Sequence, residues 1–167
     1  RKGFEYILKS MKIIKELDKN TKLYIYGDGN FNEKNTIKKL IKKFKLENTV
    51  SLNGFVQNTE KVFLESDIVA IPSQKNESFG YVAVEAFFYK KPVIACATGG
   101  LNEVIRDNYN GFLVDKKNYK KFANKIISLL QNNNLKNKFT KNGYYSYQKN
   151  FTAKDMSQNY YNLIMNE

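Results

Sequence analysis

Residues 77–100 read ESFGYVAVEAFFYKKPVIACATGG, and their order decides how the chain folds. Glu77 to Gly80 is a short loop, and the residues from Tyr81 onward read as the start of a helix. A Pro-led apolar strand, Pro92 to Ala97, comes next, and Gly99 and Gly100 turn the chain again. Glu77 therefore lies in a loop at a helix N-terminus, and Glu85 about a turn and a half down the same helix. A ligand with an anionic middle and hydroxyl-bearing ends suits that layout.

The alternation extends outward in both directions. Phe4, Ile7, Leu8, Met11, Ile14 and Leu17 recur at helical spacing. LYIY (Leu23 to Tyr26) reads as a strand ending at the turn GDGN, and Lys34 to Phe44 as an amphipathic helix. A short strand is expected around Val50 to Leu52, a short helix at Thr59 to Glu65, and a buried strand at Ile68 to Ile71, stopped by Pro72. Beyond the helix bearing Glu85 come a strand at Val93 to Ala97, a brief helix near Glu103 and a strand at Phe112 to Val114. From Tyr119 the chain reads as helical, with a break at Gly143 and a new start near Thr152 or Ala153. Short, nearly continuous apolar strands separated by helices indicate a parallel sheet covered on both faces. The expected fold is α/β: a doubly wound, Rossmann-like parallel sheet that binds ligands at the carboxyl ends of its strands. GDGN, PSQKNESFG and ATGG all fall at such ends.

Bulk properties remove several function classes. The 167 residues suit one domain, and 42% hydrophobic with 14% aromatic residues supports a packed core. No run of eighteen apolar residues is present, hence no expected membrane-spanning helix, and charges interrupt the N-terminal stretch where a signal peptide would need an apolar run. The chain has no histidine, which argues against a histidine-ligated metal or a Ser-His-Asp centre. Cys96, the single cysteine, lies within PVIACA and reads as a buried strand thiol. The net charge of +12 admits attraction to nucleic acid or an anionic membrane surface. It also admits compositional drift, since the chain is saturated with Lys, Asn, Ile and Tyr. The lysines are spread over many helices and Arg is nearly absent, which disfavours nucleic acid.

The helix start gives the physical reason for a phosphate ligand. Helix N-termini carry unpaired amide donors and a positive dipole end, and Gly80 permits close approach to the backbone. Glu85 lies roughly 7–8 Å along the axis at about 1.5 Å per residue. A diphosphate at the helix end would leave a ribose near Glu85 and a sugar near Glu77, where a carboxylate can accept from a vicinal diol. Against this, Glu77 is also a carboxylate favoured by the helix dipole. Glu85, among Val82, Val84, Ala86 and Phe87, needs a partner, which a lysine could equally supply. YGDGN lacks the full G-x-G-x-x-G pattern, so Gly27 and Gly29 also fit an ordinary strand-to-helix turn.

Together these residues resemble the donor-site signature of family 4 retaining glycosyltransferases of the GT-B architecture. That pattern runs E-x-F-G, a second Glu, A-x-x-x-x-x-P-V-I-A and G-G-x-x-E, matched here from Glu77 through Glu103. KLYIYGDG, VSLNGFV, DIVAIPS and NGFLV flank it in the expected order. The resemblance implies that Glu85 accepts from the donor ribose and Glu77 sits by the sugar hydroxyls. It places the backbone of Phe79, Gly80, Tyr81 and Val82 against sugar and diphosphate. Lys2 would pair with the diphosphate and stabilise the leaving nucleotide, the backbone at Val56 would read the base, and Gly27 would line the same donor site. Glu77 and Lys2 are the expected catalytic pair.

The resemblance further implies no metal and no other cofactor, a UDP- or GDP-sugar as donor, and a glycan or lipid-linked acceptor. Residues 1–167 would form the C-terminal, donor-binding half of a GT-B enzyme. An acceptor domain and a first strand with its Arg are expected ahead of Arg1. The product class would be cell-surface polysaccharide (capsule or lipopolysaccharide) or glycolipid, made in the cytoplasm or at the inner face of the membrane, with peripheral membrane association through the positive charge. The isolated domain is expected to bind donor and catalyse little. The competing readings are a nucleotide-sugar epimerase, disfavoured by the absence of histidine, and a non-catalytic basic module binding a polyanion.

Overall fold

In a computed structural model that describes residues 2–75 and 77–165, helices and strands alternate along most of the chain. In order these are α1 (Phe4–Leu17), β1 (Leu23–Tyr26), α2 (Phe31–Lys43), β2 (Val50–Gly54), α3 (Thr59–Glu65), β3 (Val69–Ile71) and α4 (Tyr81–Phe88). They continue as β4 (Val93–Cys96), α5 (Leu101–Val104), β5 (Gly111–Val114), α6 (Tyr119–Gln131), α7 (Asn133–Asn150) and α8 (Ala153–Met165). Every strand pairing is parallel.

β4 shows why its sequence is continuously apolar. All four residues are fully buried, and successive side chains alternate between the two faces of the sheet. Ile94 and Cys96 join Phe112 and Val114 against α1 and α6 through Leu8, Ile14, Phe122 and Leu129. Val93 and Ala95 face the other way, toward Ala83, Ala86 and Phe87 of α4 and Leu101 of α5. Helices thus cover both faces, as a doubly wound fold requires. Burying an aliphatic or aromatic side chain is worth about 1.5–3 kcal/mol, so the fully buried Phe87, Phe122 and Phe139 are major contributors to the two cores.

The structure corrects the sequence reading in three places. The strands form two parallel sheets rather than one, β1-β2 and β3-β4-β5, although Leu23 and Ile25 of β1 pack against the same core as Ile94 and Phe112. The second helix starts at Phe31, before Lys34, because Asn30 and Glu33 form a reciprocal capping box. Gly143 does not break a helix: α7 runs through it, and a Cβ there would come 2.6 Å from Phe87 Cδ1. That glycine lets α7 close onto α4. The break falls at Asn132, which ends α6 and caps α7 by accepting from the Leu135 amide at 2.9 Å.

Candidate functional site

The loop between β3 and α4 carries Glu77, and its neighbours hold it from several sides. Gly100 N–H donates to the Glu77 carbonyl at 2.8 Å, and a Cβ on Gly99 would meet that same oxygen at 2.0 Å. The two glycines of ATGG are therefore demanded by backbone approach. On the other side Gly3, with φ +79°, sits where a Cβ would lie 1.8 Å from the Pro72 carbonyl oxygen. This places Lys2 at the carboxyl end of β3, with Nζ 3.4 Å from Glu77 Oε2. The Glu77 side chain is 19% exposed and that of Lys2 62%. The structure thus brings together two residues 75 positions apart.

Gly80 begins α4 in the left-handed region at φ 98°, and it is buried with Leu101 2.9 Å from where a Cβ would stand. Its missing side chain serves the turn and the packing of Leu101. In the first turn of α4, Ala83 and Val84 donate to the Gly80 carbonyl, whereas the Tyr81 and Val82 amides have no backbone acceptor among the described residues. These are the unpaired donors that a helix start offers an anion. Glu85 does not need an internal partner: it is exposed, on the same side of α4 as the exposed Tyr81, Val82 and Phe88. No ion pair to it exists among the described residues. Phe79 packs at a tilt against Tyr81, with ring centroids 4.8 Å apart, and meets Phe151 edge-on at 6.1 Å, which ties the loop to the junction of α7 and α8.

Gly27 follows β1, and Val56 lies two residues beyond the end of β2, so both stand at the carboxyl ends of the other sheet. Gly27, φ 131°, donates its amide to the Gly54 carbonyl at 2.7 Å, two residues before Val56. A cavity of about 860 Å³ links this sheet to the first: Lys2 and Gln74 line it from the β3 side, Asn30 and Thr36 from the β1 side. Neither Glu77 nor Glu85 lines it, and it reaches Glu77 only through Lys2. No cluster able to hold a metal ion is present among the described residues.

Two residues escaped the sequence reading. Ser73 donates to Glu77 Oε2 at 3.0 Å. Gln74 donates to the Pro72 carbonyl and to Cys96 Sγ and accepts from Lys117 N–H, pinning the loop to β4 and to the start of α6. Nothing in the spacing of letters signals either contact. Cys96 is wholly buried, as expected, and burial pushes its thiol pKa up despite hydrogen bonds with Tyr6 and Gln74. Burial, and then the contact with Cys96, likewise raises that of Tyr6.

The model of the family described as glycosyl transferases group 1 matches residues 1–146. The chain belongs to this family. It is 33% identical over 143 residues to an uncharacterized glycosyltransferase of Methanocaldococcus jannaschii, covering 86% of the chain and 39% of that protein. With the poly(ribitol-phosphate) alpha-N-acetylglucosaminyltransferase of Staphylococcus aureus it shares 31% identity over 139 residues, 83% of the chain and 28% of that enzyme. Among solved structures, Anabaena HepE in complex with UDP superposes with a TM-score of 0.90 at 25% identity, over 99% of the chain and 46% of HepE. The chain therefore spans 39% and 28% of the length of these two relatives and 46% of HepE.

Proposed function

We propose that this chain is the donor-binding half of a retaining, family 4-type GT-B glycosyltransferase, and that it holds a nucleotide diphosphate-sugar across the start of α4. The observation that carries this reading is the convergence at one helix end of Lys2, Glu77 and the unpaired Tyr81 and Val82 amides, with Glu85 exposed further along the same helix. The diphosphate lies against those amides and Lys2, the ribose hydroxyls donate to Glu85, and the sugar hydroxyls donate to Glu77. Gly27 and Val56 present backbone at the base. HepE, which has been solved with UDP, supports a uridine donor, and a GDP-sugar is the second choice.

In the reaction, the bond between the sugar's anomeric carbon and the diphosphate breaks with its electron pair passing to the phosphate oxygen. The acceptor hydroxyl attacks from the same face of an oxocarbenium-like centre and passes its proton to that departing phosphate. Lys2 and the helix amides stabilise the negative charge as it develops, which is where preorganised donors are most effective. This chemistry asks nothing of a metal ion. The acceptor, a glycan or lipid-linked hydroxyl of cell-surface polysaccharide or glycolipid synthesis at the cytoplasmic membrane face, would be bound by a second domain, without which transfer is slow. The named substrate of the S. aureus relative, a poly(ribitol-phosphate), supports the cell-surface assignment.

A strand preceding residue 1 belongs to this reading. Among the described residues β1 and β3 each lack a partner on one side in the strand order, the two sheets share one core, and Lys2-Gly3 enters at the carboxyl end of β3. A parallel strand leading into Lys2 would join the two sheets into one.

Calorimetric titration with UDP, GDP and their sugar conjugates tests the site. Micromolar binding of one nucleotide series is expected, weakened about tenfold or more by Glu85→Ala, because charge-assisted hydrogen bonds are strong. A basic polyanion-binding module would instead bind heparin or anionic vesicles with steep salt dependence and be indifferent to Glu77→Ala. That outcome would sink the proposal.

A further inference from the structure

Glu77 is oriented by a contact that no motif letter encodes. Ser73 is buried, 3% exposed, and donates from Oγ to Glu77 Oε2 at 3.0 Å, bridging the two ends of a tight loop. Lys2 Nζ approaches the same oxygen at 3.4 Å. Oε1 has no hydrogen-bond partner among the described residues. The Glu77 backbone is fixed separately, by Gly100 N–H on its carbonyl, so the torsions left to settle are those of a long side chain with several rotamers to lose on binding.

We propose that Ser73 is the positioning residue for Glu77: by occupying Oε2 it holds the carboxylate in one orientation before ligand arrives and leaves Oε1 to accept from the donor sugar. This rests on the donor-site reading above, in which Glu77 meets the sugar hydroxyls. Ser73 itself touches no ligand. A pre-set carboxylate binds its hydroxyls without first giving up rotamer freedom. Lys2, on the same oxygen but mostly exposed, remains able to turn toward a diphosphate.

The test separates the sugar from the nucleotide. Dissociation constants for UDP and UDP-glucose, and for GDP and GDP-mannose, are measured by calorimetry, and the tighter series is carried through Ser73→Ala, Glu77→Ala and the double variant. Ser73→Ala is expected to weaken the nucleotide-sugar roughly three- to tenfold, within the range of one ordinary hydrogen bond, since Ser73 orients the carboxylate and does not itself bind ligand, and to leave the nucleotide diphosphate unchanged. Because Ser73 acts only through the carboxylate, the double variant should match Glu77→Ala alone. Ser73→Cys, similar in size and a weaker donor, should fall between wild type and Ser73→Ala, and it decides the matter if Ser73→Ala fails to fold. Equal weakening of both ligands, or a further loss in the double variant, would overturn the proposal. So would a sugar contribution that depends on Glu77 but is indifferent to both Ser73 variants, which leaves the donor-site reading intact. A sugar contribution untouched by Glu77→Ala, or no binding of any of the four ligands, overturns the donor-site reading and this proposal with it.

Discussion

Lys2 is held at Glu77 by the glycine after it. Gly3 combines φ +79° with a Pro72 carbonyl 1.8 Å from where a Cβ would sit, so a side chain there meets both backbone strain and a backbone wall. Gly3→Ala is expected to cost at least about 2 kcal/mol, read from urea unfolding, and to lower affinity for the nucleotide diphosphate by moving Lys2 out of reach. An unchanged midpoint would show that the entry to α1 yields easily. At this level the sequence was partly legible. Glu77, Glu85 and Lys2 stand out because a helix start, an acid within an apolar helix and a resemblance to a known signature single them out. Ser73 and Gln74 did not, because their roles lie in side-chain geometry across a loop: an i to i+4 contact outside any helix, and a link from Gln74 to Cys96 twenty-two positions away. The need of Glu85 for a partner was misjudged because helix composition does not say which side of α4 faces solvent.

Most helices and strands were legible to within a residue or two, since the apolar periodicity that marks them is the same pattern that buries them. α1 and β1 match their expected bounds, and β4 differs by one residue. The errors are informative. α2 starts three residues before Lys34 because Asn30 and Glu33 cap it, and Gly143 serves packing against Phe87 rather than a helix break. The two accounts of Gly143 predict opposite signs. In an ordinary exposed helix interior, Gly→Ala stabilises by up to about 1 kcal/mol. Here the added methyl meets the fully buried Phe87 ring at 2.6 Å, an overpacking that typically costs about 1–3 kcal/mol. Gly143→Ala is therefore expected to lower the urea midpoint, and a raised midpoint would contradict close packing of α7 on α4.

The division of helices between two faces followed from strand composition alone, since β4 could be uniformly apolar only if both its faces were covered. That the strands divide into two sheets, β1-β2 and β3-β4-β5, was not legible, because apolar strand composition marks a covered strand without naming its neighbour. No described helix is long and apolar enough to cross a membrane. The +12 charge is where the donor-site and polyanion accounts part most clearly. Lysines on α2 (Lys34, Lys38, Lys39, Lys42 and Lys43) are exposed and offer a diffuse target to any polyanion, whereas a donor site concentrates its contacts at the start of α4. Amide chemical-shift mapping of the chain with UDP, and then GDP, distinguishes them directly. The expected result is saturable shifts centred on Phe79 to Val82, with smaller ones near Gly27 and Val56, and little change along α2. Shifts spread over α2 and absent at Tyr81 and Val82 would contradict a donor site at this helix.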